Sequence, residues 1–228
     1  MSVTERPSTH AALMDEVYRH QRFIYDLTRK YYLLGRDRLI EELALRPGER
    51  VVEVGCGTAR NLIRIARRYP GTALFGLDAS HEMLKTAEAA VKRAGLEGRI
   101  TLRHGYAESL SPAFFGQDGP FDRIVFSYAL SMIPDWNQAL KSAAATLAED
   151  GSVHVVDFGD LMGLGRVGRK ALLAWLALFH VEPRVEILRR LEHTGPEKGT
   201  QDNDLWIVPG RYAFLWRGRK TELLRALH

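Results

Sequence analysis

The chain has 228 residues, of which 46% are apolar, and a formal net charge of +4 at pH 7. This length and apolar content suffice for one well-buried α/β domain, and no Gly/Ser-rich or Pro-rich linker divides the chain, so we predict a single domain over residues 1–228. The single cysteine, Cys56, excludes an internal disulfide and is compatible with a reducing compartment. Residues 1–16 lack the basic and apolar regions of a secretory signal, and the longest apolar run, residues 171–179, is too short to span a bilayer. We therefore expect a cytoplasmic protein.

Basic and acidic residues are interspersed, with 32 Lys and Arg against 28 Asp and Glu and no long block of either sign. Because the overall charge does not indicate a polyanion-binding surface, we expect no nucleic-acid partner. No group of Cys and His residues has the spacing of metal ligands, so we also predict no metal site.

In chain order, the predicted elements alternate between helix and strand. A helical segment over residues 10–45 is followed by strands at residues 50–54, 73–77, 99–103, 122–127 and 152–157, with helices between them at 58–69, 81–94 and 136–148. An Asp150-Gly151 turn separates the last of these helices from its strand.

The C-terminal part has a different pattern. Residues 204–208 and 212–216 are β-rich and flank Pro209-Gly210-Arg211, which predicts a hairpin. The whole order predicts an α/β fold with a doubly wound, mostly parallel seven-stranded sheet and an antiparallel C-terminal hairpin strand. In such a sheet the functional residues collect at the carboxyl ends of the strands.

The most informative segment is Val51 to Asn61, in which a β-branched run breaks into two glycines and then opens a helix. The run is typical of a strand buried on both faces, and Gly55 and Gly57 let the backbone turn sharply and approach a ligand. A dinucleotide fold requires a third glycine, which is missing here. Glu53 would repel a pyrophosphate, whereas its carboxylate can accept hydrogen bonds from an amine-bearing ligand such as S-adenosylmethionine.

A second acidic residue, Asp78, follows the predicted strand at residues 73–77, about twenty residues after the glycines. This spacing suits a carboxylate that accepts hydrogen bonds from the ribose hydroxyls of a nucleoside cofactor. The structural alternative is that the glycines form only a tight turn and that Asp78 caps the following helix.

Two motifs, Glu53-Val54-Gly55-Cys56-Gly57-Thr58-Ala59 and Gly76-Leu77-Asp78-Ala79-Ser80-His81-Glu82-Met83-Leu84, resemble those of the class I S-adenosylmethionine-dependent methyltransferases. The resemblance implies a Rossmann-like fold, S-adenosylmethionine as methyl donor and S-adenosylhomocysteine as product. The cofactor-binding residues it implies in the two motifs are Glu53, Gly55, Cys56, Gly57, Thr58, Asp78, Ala79 and Met83.

The adenine contact is predicted after the third strand. Family members commonly carry Gly-Asp-Ala there, whereas this chain has Gly105-Tyr106-Ala107-Glu108. We predict that Tyr106 stacks or hydrogen-bonds in place of the usual carboxylate, with Ala107 and Glu108 beside it.

Four further candidates follow the fourth and fifth strands. We predict that Ser127 contacts the cofactor and that Tyr128, Ser131 and Asp160 contact the substrate. The alternatives are that Tyr128 packs against the next helix and that Asp160 is a solvated loop residue.

The N-terminal segment carries two stripes at seven-residue spacing, namely Tyr18, Tyr25 and Tyr32, and Arg22, Arg29 and Arg36. As one helix, it could form a lid whose tyrosine rings surround a substrate ammonium group. The three tyrosines are therefore the catalytic candidates, and Arg36 is the predicted partner of a cofactor or substrate carboxylate. The alternative is an amphipathic helix that uses its tyrosines for packing.

Residues 14–40 are similar to the start of the bacterial methyltransferase subunit of betaine lipid synthesis. This resemblance implies three successive methyl transfers from S-adenosylmethionine to the amino nitrogen of diacylglyceryl homoserine. The alternatives are an enzyme of the same fold acting on phosphatidylethanolamine, a quinone or a soluble amine, and a non-catalytic nucleotide or nucleic-acid binding module.

Residues 166–182 are basic and then rich in Leu, Trp and Phe, which is typical of a helix at a membrane interface. In this interpretation Trp175 and Phe179 lie among lipid headgroups, and the protein associates peripherally with the inner face of the cytoplasmic membrane through Arg169 and Lys170. The alternative is a core or lid helix within an insertion over residues 161–200.

Overall fold

The computed structural model describes residues 33–177, 181–192 and 204–227. Within them lies a seven-stranded sheet of order β3-β2-β1-β4-β5-β7-β6. The strands are β1 (Arg50–Val54), β2 (Ala73–Asp78), β3 (Ile100–His104), β4 (Phe121–Ser127), β5 (Leu147–Phe158), β6 (Asp204–Ile207) and β7 (Ala213–Arg219). The first five run parallel, and β7 pairs antiparallel with β5 and β6. The predicted α/β fold class and the C-terminal hairpin are confirmed.

Helices cover both faces of this sheet. Those of the described residues are α1 (Arg36–Glu42), α2 (Arg60–Arg68), α3 (His81–Arg93), α4 (Trp136–Thr146), α5 (Gly165–Ala177), α6 (Val185–Glu192) and α7 (Lys220–Ala226). Val52 and Val54 of β1 belong to one buried apolar cluster, and Val51 belongs to another. Successive residues of a strand point to opposite faces, so β1 is buried on both sides, as its β-branched sequence predicts.

The N-terminal helical segment differs from the prediction. Helix α1 begins only at Arg36, after Gly35 in a left-handed conformation with φ of 84°. A Cβ atom at position 35 would lie 2.4 Å from Cδ1 of Leu215, so both the backbone angle and the space require glycine. One continuous helix over residues 10–45 is therefore wrong at Gly35, and the part of this segment up to residue 32 lies outside the described residues.

The predicted turn at Asp150-Gly151 is also wrong. Helix α4 ends at Thr146, and strand β5 runs through Asp150 and Gly151 without interruption. The register between β4 and β5 shifts between Phe121 and Arg123, so an irregularity in the pairing replaces the expected turn.

Candidate active site

The loop between β1 and α2 has the geometry that its glycines indicate. Gly55, Gly57 and Ala59 all have positive φ, at 71°, 54° and 60°. A Cβ atom on Gly55 would lie 2.8 Å from that of Ala129, which follows β4. The N–H groups of Gly55 and Cys56 both donate to the carbonyl of Leu77, over 2.8 and 3.1 Å. The loop is thus tied to the end of β2, where Asp78 stands.

Asp78 connects two backbone segments at this edge of the sheet. Its Oδ2 accepts from the Gly57 N–H at 2.7 Å, and its Oδ1 accepts from the Ser80 N–H at 2.9 Å. The cap of α3 is Ser80, whose hydroxyl accepts from the Met83 N–H at 3.3 Å, so Asp78 is not the cap that the structural alternative assigned. Because each carboxylate oxygen can accept two hydrogen bonds, Asp78 keeps capacity for a ribose diol.

A cavity of about 420 Å³ lies beside the loop. Among the predicted cofactor residues, those that line it are Arg36, Glu53, Gly55, Cys56, Gly57, Thr58 and Ser127. Glu53 is buried at the end of β1, where its Oε1 accepts from Nδ2 of Asn61 at 2.7 Å. Asn61 was not predicted as a site residue; it lies beside Glu53 because it is the second residue of α2, in the first turn of that helix. Asp78 and Tyr106 do not line this cavity.

These residues fit the amino-acid end of S-adenosylmethionine. That end carries an ammonium and a carboxylate, and the cavity contains a buried anion, Glu53, and a buried cation, Arg36. The hydroxyl oxygen of Ser127 is buried in the cavity wall without a hydrogen-bond partner among the described residues, which leaves it available to a ligand. Bound there, the cofactor would supply an electrophilic methyl group.

The thiol of Cys56 lines the same cavity. Burial raises the pKa of this thiol well above its ordinary value, and the charges of Asp78 and Glu53 raise it further. Because the thiolate is the reactive form, Cys56 is a small packing residue and not a nucleophile.

An aromatic cluster follows β2 and β3 on the expected adenine side. The rings of His81 and His104 stack at a centroid distance of 3.7 Å, and Tyr106 meets His104 edge-on at 6.2 Å. Nε2 of His104 lies 3.0 Å from the carbonyl oxygen of Ala79. Tyr106 is 39% exposed, which leaves its ring accessible for stacking. The two histidines were not identified from the sequence, because the pairing of β2 with β3 alone brings them together.

The remaining candidates on this side occupy different environments. Ala107 is buried and Glu108 half-buried, both in a 3₁₀ turn, Ala107–Ser109. Met83 is buried in the first turn of α3.

Tyr128, after β4, lies in the core. It is 2% exposed, its hydroxyl donates to the carbonyl of Leu34 at 2.7 Å, and its ring meets that of Phe158 edge-on at 4.7 Å. A buried ring whose hydroxyl already has a partner cannot readily contact a substrate, so the structure corrects the substrate assignment in favour of packing.

Ser131 and Asp157 are joined beneath the carboxyl edge of the sheet. The Ser131 N–H donates to Oδ2 of Asp157 at 3.0 Å, and the Phe158 N–H donates to Oδ1 at 2.8 Å. Burial raises the pKa of Asp157 to about 6, although these hydrogen bonds oppose the shift. Ser131 is 3% exposed, and its backbone N–H holds the loop after β4 in place.

Asp160 is neither solvated nor open to a cationic substrate. Both of its carboxylate oxygens accept from Nε of Arg211, at 2.8 and 2.7 Å, and Arg211 also pairs with Glu192 at 2.9 Å. Burial acts to raise the pKa of Asp160, but hydrogen bonds from Arg211 and Met162 lower it overall. The substrate assignment of Asp160 is therefore corrected to a structural ion pair. The catalytic candidates Tyr18, Tyr25 and Tyr32 lie outside the described residues.

Comparisons with known proteins show which enzymes this chain is similar to. Residues 51–151 match the model of a methyltransferase domain family. The chain is 32% identical to a demethylmenaquinone methyltransferase of Geobacillus kaustophilus over 140 residues, which are 61% of this chain and 54% of that protein. It is also 32% identical to a phosphatidylethanolamine N-methyltransferase of Cereibacter sphaeroides over 155 residues, 63% of this chain and 73% of that protein. The chain thus spans little more than half of the quinone enzyme.

Among solved structures, the fold is similar to phosphoethanolamine N-methyltransferase 2 of Haemonchus contortus in complex with S-adenosyl-L-methionine. The TM-score is 0.68 at 16% identity, over 88% of this chain and 46% of that one. This likeness concerns the fold, whereas the glycine loop, the acidic residues and the two relatives identify the family. The chain belongs to the S-adenosylmethionine-dependent methyltransferases.

Proposed function

We propose that the protein methylates the amino nitrogen of a lipid headgroup, and that its acceptor is diacylglyceryl homoserine, which receives three methyl groups to become a betaine lipid. The observation that carries the methyl-donor half of the proposal is the cavity beside the glycine loop, which is lined by both Glu53 and Arg36. The acceptor half is supported by the match to 73% of a phosphatidylethanolamine N-methyltransferase. The resemblance of residues 14–40 to the betaine lipid enzyme narrows the proposed acceptor to diacylglyceryl homoserine.

Methyl transfer requires little of the protein beyond positioning the donor and the acceptor and excluding water. In each transfer the lone pair of the neutral amine forms a C–N bond as the C–S bond of the donor sulfonium breaks, and the electrons of the C–S bond pass to sulfur. After the first and second transfers the nitrogen releases a proton to solvent, whereas the third leaves a quaternary ammonium without a proton to release. Glu53 and Arg36 would hold the charged end of the donor, and Asp78 its ribose. Tyr18, Tyr25 and Tyr32 remain the proposed surroundings of the ammonium group, since aromatic faces attract quaternary cations.

A second candidate is methylation of a quinone ring. It is supported by the relative that is a demethylmenaquinone methyltransferase, with the same 32% identity but a smaller share of that protein covered. The two candidates differ in the atom that receives the methyl group, which is an amine nitrogen in the first and a ring carbon in the second. A carbon acceptor would need no cation-binding surface.

The test is a competition between acceptors. Purified protein is incubated with radiolabelled S-adenosylmethionine and detergent-dispersed diacylglyceryl homoserine, phosphatidylethanolamine and demethylmenaquinol at equal mole fractions, and the lipids are separated. We expect label in the mono-, di- and trimethylated homoserine lipids. Label only in phosphatidylethanolamine products or only in menaquinol would contradict the acceptor, and absence of label from all lipids would contradict lipid methylation. The Asp78→Asn variant controls for contaminating activity.

A further inference from the structure

Exposed apolar side chains are concentrated at one place on the surface. Met162, Leu164 and Val167 are 68%, 37% and 83% exposed, and they lie within six consecutive residues from the 3₁₀ turn Met162–Leu164 to the first turn of α5. The other large apolar residues exposed in the described part of the chain are scattered, namely Leu34, Tyr106, Phe114 and Leu224. A contiguous exposed apolar group of this kind marks an interaction site more often than isolated residues do.

The same segment is strongly basic. Arg166, Arg169 and Lys170 are exposed, and none forms an ion pair within the described residues. Residues 161–181 contain no Asp or Glu, and Asp160, whose pKa the charge of Arg169 helps to lower, already pairs with Arg211. A basic and apolar surface is complementary to an anionic lipid bilayer, which offers phosphates to the cations and an apolar layer beneath them.

The backbone beneath this surface is firmly held. Gly163 packs so closely on the β6–β7 connection that a Cβ atom would lie 2.7 Å from Cα of Gly210. The Leu161 N–H donates to the carbonyl of Arg211 at 3.0 Å, and the Met162 N–H donates to Oδ1 of Asp160 at 3.0 Å. The apolar side chains are therefore displayed on an anchored segment that follows the carboxyl end of β5.

The C-terminal part of α5 packs against the rest of the protein. Leu176 is 1% exposed, and Leu172 and Trp175 pack partly buried against the apolar core. Trp175, which was expected among lipid headgroups, is thus at least partly packed against the protein, and we do not include it in the exposed surface. Phe179 lies outside the described residues.

We propose that the docking surface of Met162, Leu164, Val167, Arg166, Arg169 and Lys170 binds an anionic phospholipid bilayer. The apolar side chains insert at headgroup depth and the three cations contact lipid phosphates. Binding there would bring the carboxyl edge of the sheet close to the membrane, where a lipid acceptor is found. This functional role of the surface rests on the proposed function. No helix within the described ranges has the length and apolar character to cross a bilayer, and this surface requires none.

The experiment is co-sedimentation with vesicles of phosphatidylglycerol and phosphatidylcholine, compared with phosphatidylcholine alone, at low and high salt. The wild type is expected to sediment with the anionic vesicles, less so at high salt. The Met162→Ser/Val167→Ser variant should bind about tenfold more weakly, and the Arg166→Glu/Arg169→Glu variant should lose its preference for anionic vesicles. The matched controls are Leu224→Ser, an exposed apolar residue of α7, and Lys92→Glu/Lys141→Glu, both expected to bind like wild type.

Failure of the wild type to bind anionic vesicles, or equal losses in the controls, would overturn the docking surface. So would a change of oligomeric state in the Met162→Ser/Val167→Ser variant with unchanged vesicle binding, since the surface would then join two copies of the chain. Methyl transfer to detergent-dispersed acceptor is measured in parallel. Intact vesicle binding without lipid methylation would contradict the proposed function alone.

Discussion

The backbone N–H of Gly57 donates a hydrogen bond to Oδ2 of Asp78 over 2.7 Å, which joins the loop after β1 to the end of β2. The two residues are 21 positions apart in the chain, and they meet because β1 and β2 are parallel neighbours. One carboxylate thus orders the glycine loop and is also the proposed acceptor of hydrogen bonds from the ribose hydroxyls. A substitution at Asp78 is therefore expected to disturb both the glycine loop and the proposed cofactor contact.

Substitution of Asp78 by Ala is expected to weaken S-adenosylmethionine binding by about tenfold to a hundredfold, because charge-assisted hydrogen bonds contribute about 1.5–3 kcal/mol. The dissociation constant is measured by calorimetry. The matched control is Asp122→Ala, which removes a carboxylate that accepts from the Arg50 N–H at 2.7 Å, at the amino ends of the strands. An unchanged constant in Asp78→Ala, or an equal change in the control, would refute the ribose assignment.

Substitution of Gly55 by Ala should lower the free energy of unfolding by about 1–3 kcal/mol and also weaken cofactor binding. The added Cβ atom would lie 2.8 Å from that of Ala129, at a φ of 71° that favours glycine. Denaturant unfolding and calorimetry provide the two readouts. Gly98→Ala, where no atom lies within 4 Å of the added Cβ, should be nearly neutral. Equal stability of the two variants would show that the loop is not constrained as described.

Replacement of Arg211 by Met should destabilise the fold by about 1–3 kcal/mol, because it leaves the carboxylate of Asp160 buried without its cation. Lys85→Met is the control, since it breaks an exposed pair with Glu82 and should cost about 0.5 kcal/mol or less. Chemical denaturation measures both. If Arg211→Met were as stable as Lys85→Met, the ion pair would not anchor the segment after β5.

The stability of the protein should depend on pH through Asp157. Its folded-state pKa of about 6 exceeds the ordinary 3.8, so the folded state binds the proton more tightly than the unfolded state. The resulting contribution to stability is present below about pH 4 and is lost as the pH rises through 6. It amounts to about 3 kcal/mol at about 1.4 kcal/mol per pKa unit.

The Asp157→Asn variant isolates this contribution, because it cannot titrate. We expect the unfolding free energy of the wild type, taken relative to that of the variant, to fall between pH 4 and 6. A difference that stays constant with pH, or that rises over this interval, would contradict the raised pKa.

Features that depend on a few consecutive residues were predictable from the sequence. The β-branched run of β1, the glycines at positive φ and the acidic end of β2 all follow from local patterns. The alternative that Asp78 caps the following helix is the part that the structure contradicts, because Ser80 two residues later caps α3.

Features that depend on contacts between distant segments were not predictable. Asp160 was expected to face solvent or substrate, and only its pairing with Arg211, 51 residues later, shows its structural role. Likewise, the need for glycine at position 35, just before α1, depends on Leu215 of β7, which leaves no room for a Cβ atom there. Asp150-Gly151 resembles a turn locally, but β5 continues through it, and the β4–β5 register shifts between the pairs Phe121–Leu147 and Arg123–Ser152.

The most direct test of the proposed function is mass spectrometry of diacylglyceryl homoserine after incubation with the protein and S-adenosylmethionine that carries a trideuterated methyl group. The proposal predicts lipids with one, two and then three trideuteromethyl groups, all on the amino nitrogen, and strongly reduced transfer by Asp78→Ala. Unlabelled homoserine lipid in the presence of bound cofactor would contradict it.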